Sequence, residues 1–175
     1  VKKSPHWSAC TDSGIAPVNT LVDVTEGQVR LGKNKTDSIY GWDNEYGFHE
    51  ANIPAFKASK FLVSNQEFLS FVDAGGYRNH HNWEDEGKAW LDFAGAEHPT
   101  FWVKKTRGWY LRLMTEEVAM PWNWPVEVNY HEAKAFCNWK QSETGSPVRL
   151  PTEDEWYRLY DESGLQAPQQ SASNA

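Results

Sequence analysis

The chain has 175 residues, a formal net charge of −7 and ten tryptophans. A chain of this length hides roughly 70% of its unfolded surface, enough for one domain with a real core. Its acidic balance argues against a phosphate-tracking surface and so against a nucleic-acid partner. No run approaches the ~18 apolar residues of a membrane helix, and the opening VKKSPHWSAC lacks the apolar centre of a signal peptide, so neither membrane nor export is expected.

In chain order, Pro5, Gly14 and Pro17 punctuate residues 1–17, which read as an interdomain linker leading into a domain over 18–165. The domain opens on the apolar positions Leu21, Val22 and Val24, followed by a short strand from Gly27 to Gly32. Alternation from Phe48 to Val63 around Pro54 predicts a pair of edge-type strands broken at that proline. Three helices announce themselves by a polar N-cap with a Glu three residues on: Ser64–Glu67, Asn129–Glu132 and Thr152–Glu155. The first presents Phe68, Leu69, Phe71 and Val72 to the core before Gly75-Gly76. In the second, Ala133, Phe136, Cys137 and Lys140 fall at i, i+3, i+4 and i+7, so that it buries Phe136 and Cys137 before Gly145, and the third carries Trp156, Leu159 and Tyr160 toward a stop at Gly164. Between Tyr77 and Pro125 the pattern predicts a long, loop-rich insertion, with a short helix around Glu84 to Phe93 and a strand at Trp109 to Leu113. Residues 166–175 form a polar loop or tail. Because the chain begins on Val1 and ends in a Gln/Ser/Ala-rich stretch, both ends read as cuts in a longer chain. The fold class is α+β, Trp-rich and loop-rich.

Candidate chemistry is sparse. Cys10 and Cys137 lie too far apart in a self-supporting domain to suggest a disulfide framework, and point to a reducing, cytoplasmic compartment. Cys137 falls on an apolar helix face, where a thiol packs as a small hydrophobe; Cys10 has no base beside it. The histidines are His6, His49, His80, His81, His98 and His131, and none forms an H-x3-H pair. His80 and Glu84 have helical spacing for two metal ligands, but no third ligand accompanies them, and a solvated loop is the preferred reading. His131, in the first turn of a helix, reads as neutral and structural. Trp42, Asp43, Asn44 and Glu45 could hold a hard cation or tie a loop to backbone N–H groups, and loop-tying is preferred. Trp122, Asn123 and Trp124, followed by Pro125, could wall a pocket or pack the core, and packing is preferred. No nucleophile elbow, phosphate loop, dinucleotide fingerprint or CxxC pair is present.

Five strings carry a resemblance: YGWDNEYGFHE (40–50), ASKFLVSNQEFLSFVDAGGY (58–77), the spaced Trp83, Gly87 and Trp90, MPWNWPVEVNYHEAKAFCNWK (120–140) and RLPTEDEW (149–156). Together they resemble the sulfatase-modifying-factor domain, the formylglycine-generating-enzyme fold, a variant of the C-type lectin architecture. GWDNE with VSNQEFLSFV-x-AGGY resembles the branch attached to sulfoxide synthases of thiol-histidine biosynthesis. The 120–140 string is more similar to the ovothiol type, 5-histidylcysteine sulfoxide synthase, than to the ergothioneine type. The resemblance implies a parent enzyme that joins cysteine to C5 of histidine as a sulfoxide with O2 and Fe(II). It also implies an upstream DinB-type domain supplying a three-histidine iron site outside this segment, and in many ovothiol enzymes a downstream methyltransferase domain. No part of that triad is matched here, and the family domain continues past RLPTEDEW, so the resemblance transfers no catalytic, cofactor-binding or metal residue to these positions and leaves the segment alone inactive. A formylglycine-generating-type oxidase and a non-catalytic, calcium-dependent lectin-like module are the rival readings.

Overall fold

The computed structural model describes residues 14–164. In chain order the elements are β1 (Leu21–Val24), β2 (Gly27–Lys33), β3 (Gly47–Ile53), β4 (Phe56–Ser59), α1 (Asn65–Asp73), α2 (Asp85–Ala94), β5 (Trp102–Lys105), β6 (Gly108–Arg112), β7 (Glu117–Ala119), α3 (Tyr130–Thr144) and α4 (Glu153–Ser163), an α+β content. They divide into two compact units. One holds residues 61–150 with the segment up to Thr20, and the other holds Leu21–Lys60 with the residues from Pro151 onward.

In the first unit, α1 starts where Ser64 Oγ accepts the Glu67 N–H and the Glu67 carboxylate returns to the Ser64 N–H at 3.0 Å. Its Phe68 and Phe71 are fully buried; Phe68 stacks on Phe136 of α3 and Phe71 meets it edge-on, in a core completed by Tyr77, Trp83, Leu91, Trp102, Leu111 and Met120. Each such ring contributes about 1.5–3 kcal/mol through burial. Gly76 closes the turn after α1 against that core. A Cβ there would stand 2.1 Å from the Phe71 ring, so only glycine fits.

The stretch from Tyr77 to Pro125 is more ordered than its composition suggests. It holds a 3-10 turn at His80–Asn82, α2, and an antiparallel sheet of order β5-β6-β7 with Trp102 opposite Leu111 and Leu111 opposite Val118. Trp109, in the strand expected at 109–113, lies on the inner side of this sheet and meets Trp102 of β5 at 5.4 Å between centroids.

Helix α3 buries Glu132, Ala135, Phe136 and Cys137, while Ala133 and Lys140 stay half-buried. Phe136 and Cys137 are thus buried as predicted; Glu132 and Ala135 join them, Trp139 packs beside them, and Ala133 sits at the edge of the face. Gly145 ends the helix in the left-handed conformation.

In the second unit, β1 pairs with β4 and β2 with β3, both antiparallel, so the two strands expected over 48–63 are present and each pairs with an earlier strand. The break at Pro54 separates β3 from β4. Gly32 (φ +115°) lies so close to the Gly47 carbonyl that any side chain would collide with it. Helix α4 is capped by Thr152 and Glu155 and is held by Arg158, whose Nε donates to the Thr25 carbonyl at 2.9 Å. Trp156 lies on the exposed side of α4, 51% accessible and stacked on Tyr160, while Glu155 is buried.

Candidate functional site

The start of α1 and the Trp122–Trp124 loop form one hydrogen-bonded structure. A helix leaves its first N–H groups without intrahelical partners. Here the Asn65 N–H donates to the Trp124 carbonyl at 2.8 Å and the Gln66 N–H to the Trp122 carbonyl at 3.0 Å. The buried Asn65 side chain adds an N–H to the Pro121 carbonyl at 2.9 Å and accepts the Trp102 indole N–H at 3.2 Å. Trp122 meets Trp102 edge-on, and both Trp122 and Trp124 pack half-buried against the core. Asn123 Oδ1 is buried without a hydrogen-bond partner among the described residues. A Cβ on Gly14 would fall 2.0 Å from Asn123 Nδ2, so the backbone at residue 14 lies against this amide.

The most perturbed chemistry lies elsewhere. Glu132, at the third position of α3, returns Oε2 to the Asn129 N–H at 2.8 Å as the capping geometry requires. Its other oxygen accepts the Tyr77 hydroxyl at 2.5 Å in a buried contact. Burial raises the Glu132 carboxyl above the ordinary carboxylate range, opposed by the Tyr77 and Asn129 hydrogen bonds and by the field of His98. Burial, with the neighbouring carboxylate, also pushes the Tyr77 phenol strongly up. His98 packs edge-on against Trp109, with Nδ1 3.1 Å from the Pro99 carbonyl.

From Tyr77 a series of rings runs outward: Tyr77 to Trp83 at 5.5 Å, Trp83 to Trp90 at 5.9 Å, and Trp90 to His131 at 6.3 Å between centroids. Trp83 Nε1 donates to the Gly76 carbonyl at 2.9 Å. The pairing of Tyr77 with Glu132 is the functional feature that sequence reasoning misses. Glu132 is legible as a capping residue, but nothing local says that its second oxygen meets a residue 55 positions earlier.

His80 and His81 are exposed in their 3-10 turn, where Asn79 Oδ1 accepts the His81 N–H; Glu84 pairs with Lys134 at 2.6 Å. His131 is half-buried against Trp90. Cys137 is buried, and burial raises its thiol pKa against a smaller opposing effect of Lys134. In the second unit Asp43, Asn44 and Glu45 form a 3-10 turn in which Glu45 Oε2 accepts the Trp42 N–H at 2.6 Å; Trp42 and Asp43 are exposed. Cys10 and His6 lie outside the described residues. Among the described residues no three His, Cys, Asp or Glu side chains converge to hold a metal ion. The described residues by themselves therefore do not fit an iron centre, which needs about three converging protein donors. No helix among them is long and apolar enough to cross a membrane.

Mixed helix and sheet, an indole-rich core and a helix start stitched to a W-N-W-P loop define a Trp-rich α+β fold. Over residues 10–160 the chain matches the sulfatase-modifying factor enzyme 1-like domain, and it belongs to that family. It is 38% identical over 127 residues (72% of the chain) to a hercynine oxygenase of Mycolicibacterium thermoresistibile. It is 34% identical over 127 residues (72% of the chain) to one of Mycobacterium tuberculosis, and 33% identical over 147 residues (82% of the chain) to one of Mycolicibacterium smegmatis. The chain spans 26%, 28% and 31% of the length of these three relatives, respectively.

Proposed function

We propose that the chain is part of an O2-dependent sulfoxide synthase that joins a cysteine thiol to the imidazole carbon of a histidine-type substrate. The observation that carries this reading is the identity to three hercynine oxygenases over most of the chain, 33% at the lowest. The bookkeeping of the reaction is closed: thiol S–H, ring C–H and O2 give a carbon–sulfur bond, one oxygen on sulfur and one water. The Fe(II) and its three-histidine set belong, in this proposal, to an upstream DinB-like domain, and the family's C-type-lectin-like architecture supplies the scaffold, in the cytoplasm.

On the substrate, the PWNWPVEVNYHEAKAFCNWK string favours histidine and an ovothiol-type product. A second reading, hercynine as substrate, is favoured by the names of the three relatives. Turnover of the full-length protein in air with Fe(II) and cysteine, given histidine or hercynine in parallel, separates them. The first reading expects the higher kcat/KM with histidine and fails if hercynine is preferred. Conversion of neither, with oxidation of a cysteine-containing peptide instead, would mark a formylglycine-generating-type oxidase.

A further inference from the structure

We propose that Trp90, Trp83 and Tyr77 form a one-electron relay running from a half-buried indole to a buried tyrosine, where Glu132 takes the phenolic proton. The three rings follow one another at centroid distances of 5.9 and 5.5 Å, near van der Waals contact, so electron exchange between neighbours needs no intervening bridge. Trp90 is half-buried and within reach of an oxidant; Trp83 and Tyr77 are 3% and 4% accessible.

The hydrogen bonds give the relay a direction. The Trp83 indole N–H donates to a backbone carbonyl, which is too weak a base to take a proton, so an electron hole on Trp83 stays a cation and moves on. The Tyr77 hydroxyl donates to a carboxylate oxygen at 2.5 Å, so loss of an electron there is accompanied by transfer of the proton to Glu132 Oε1. The products are a neutral tyrosyl radical and a protonated carboxyl; one electron has left through Trp83 and Trp90 to a one-electron oxidant, and the account balances. A capping box alone needs only one carboxylate oxygen, which Asn129 already occupies. The second oxygen is free of the cap, and the contact that satisfies the buried phenol also sets a proton acceptor directly on it. Burial also makes Glu132 a stronger base than a surface carboxylate.

Strong one-electron oxidants are typical of oxygen chemistry, and only that physiological source rests on the function proposed above. The test supplies its own oxidant. A ruthenium(III) polypyridyl complex is photogenerated beside the full chain, and the radicals are read by freeze-quench paramagnetic resonance with ring-deuterated tyrosine. The expected result is a tyrosyl component protected from added ascorbate, absent in Tyr77→Phe and replaced by an indole signal in Glu132→Gln. Trp90→Phe, which alters a half-buried ring, is expected to lower the yield of the protected radical even if the other variants do not fold; near-UV dichroism reports folding in each. The relay is overturned by the absence of a protected tyrosyl signal in the wild type. It is equally overturned if that signal persists in folded Tyr77→Phe or Glu132→Gln, or keeps its full yield in Trp90→Phe.

Discussion

Glu132 and Tyr77 show how much one buried carboxyl constrains. The folded-state pKa of Glu132 lies above its unfolded value, so its protonated form is bound more tightly in the fold. Its contribution to stability is therefore fully present below the ordinary carboxylate pKa and is lost as pH rises through the raised folded value. Urea midpoints of the wild type minus those of Glu132→Gln should fall with rising pH across that window; a flat difference would show that the carboxyl titrates as if exposed. Replacing Glu132 by Ala leaves the Tyr77 hydroxyl buried and unpaired, at an expected cost of about 1–3 kcal/mol. Cys137 gives an independent check of the same helix face. Its thiol should react with a soluble disulfide reagent only on unfolding, and labelling at the unfolded rate in the native protein would place it on the surface.

Among the elements, the helix starts were the most legible part of the fold. Ser64, Asn129 and Thr152 each accept the N–H three residues on, because a polar cap and its returning Glu are local and need no knowledge of the rest of the chain. Ser64→Ala should cost about 1 kcal/mol, read as a shift in the denaturation midpoint. Phe136→Ala, in the rings shared by α1 and α3, should cost about 3–5 kcal/mol through the cavity it leaves. Strand partners were not legible. Alternation over 48–63 reveals two strands and the break at Pro54, but not that β3 returns to β2 and β4 to β1, since pairing is a long-range choice. In the 77–125 stretch the helix near 84–93 and the strand near 109–113 were legible, whereas β5 and β7 were not, because these short strands are held by indole and ladder contacts across the sheet rather than by any local period. In the 42–45 turn, Glu45 makes the tie to the Trp42 N–H while Asp43 is exposed. Glu45→Ala should therefore lower the melting temperature more than Asp43→Ala, with or without calcium. A calcium-induced rise in the wild type, lost in Asp43→Ala, would instead mark a cation site.

At the scale of the molecule, membership of the sulfatase-modifying factor enzyme 1-like family sets the context for a chain whose described residues bring no metal ligand set together. The RLPTEDEW and AGGY strings made the family readable from sequence, whereas ligand convergence depends on tertiary placement. Under the proposed function, anaerobic Fe(II) titration of the 175-residue chain should show no stoichiometric tight binding, and tight binding would direct attention back to its histidines. Under the proposed function the full-length protein forms a carbon–sulfur bond with O2, and mass spectrometry of its products from cysteine and histidine or hercynine under isotopically heavy oxygen tests this most directly. One product should join the two substrates and carry a single heavy oxygen on sulfur. Cystine alone, or a joined product without heavy oxygen, would contradict it.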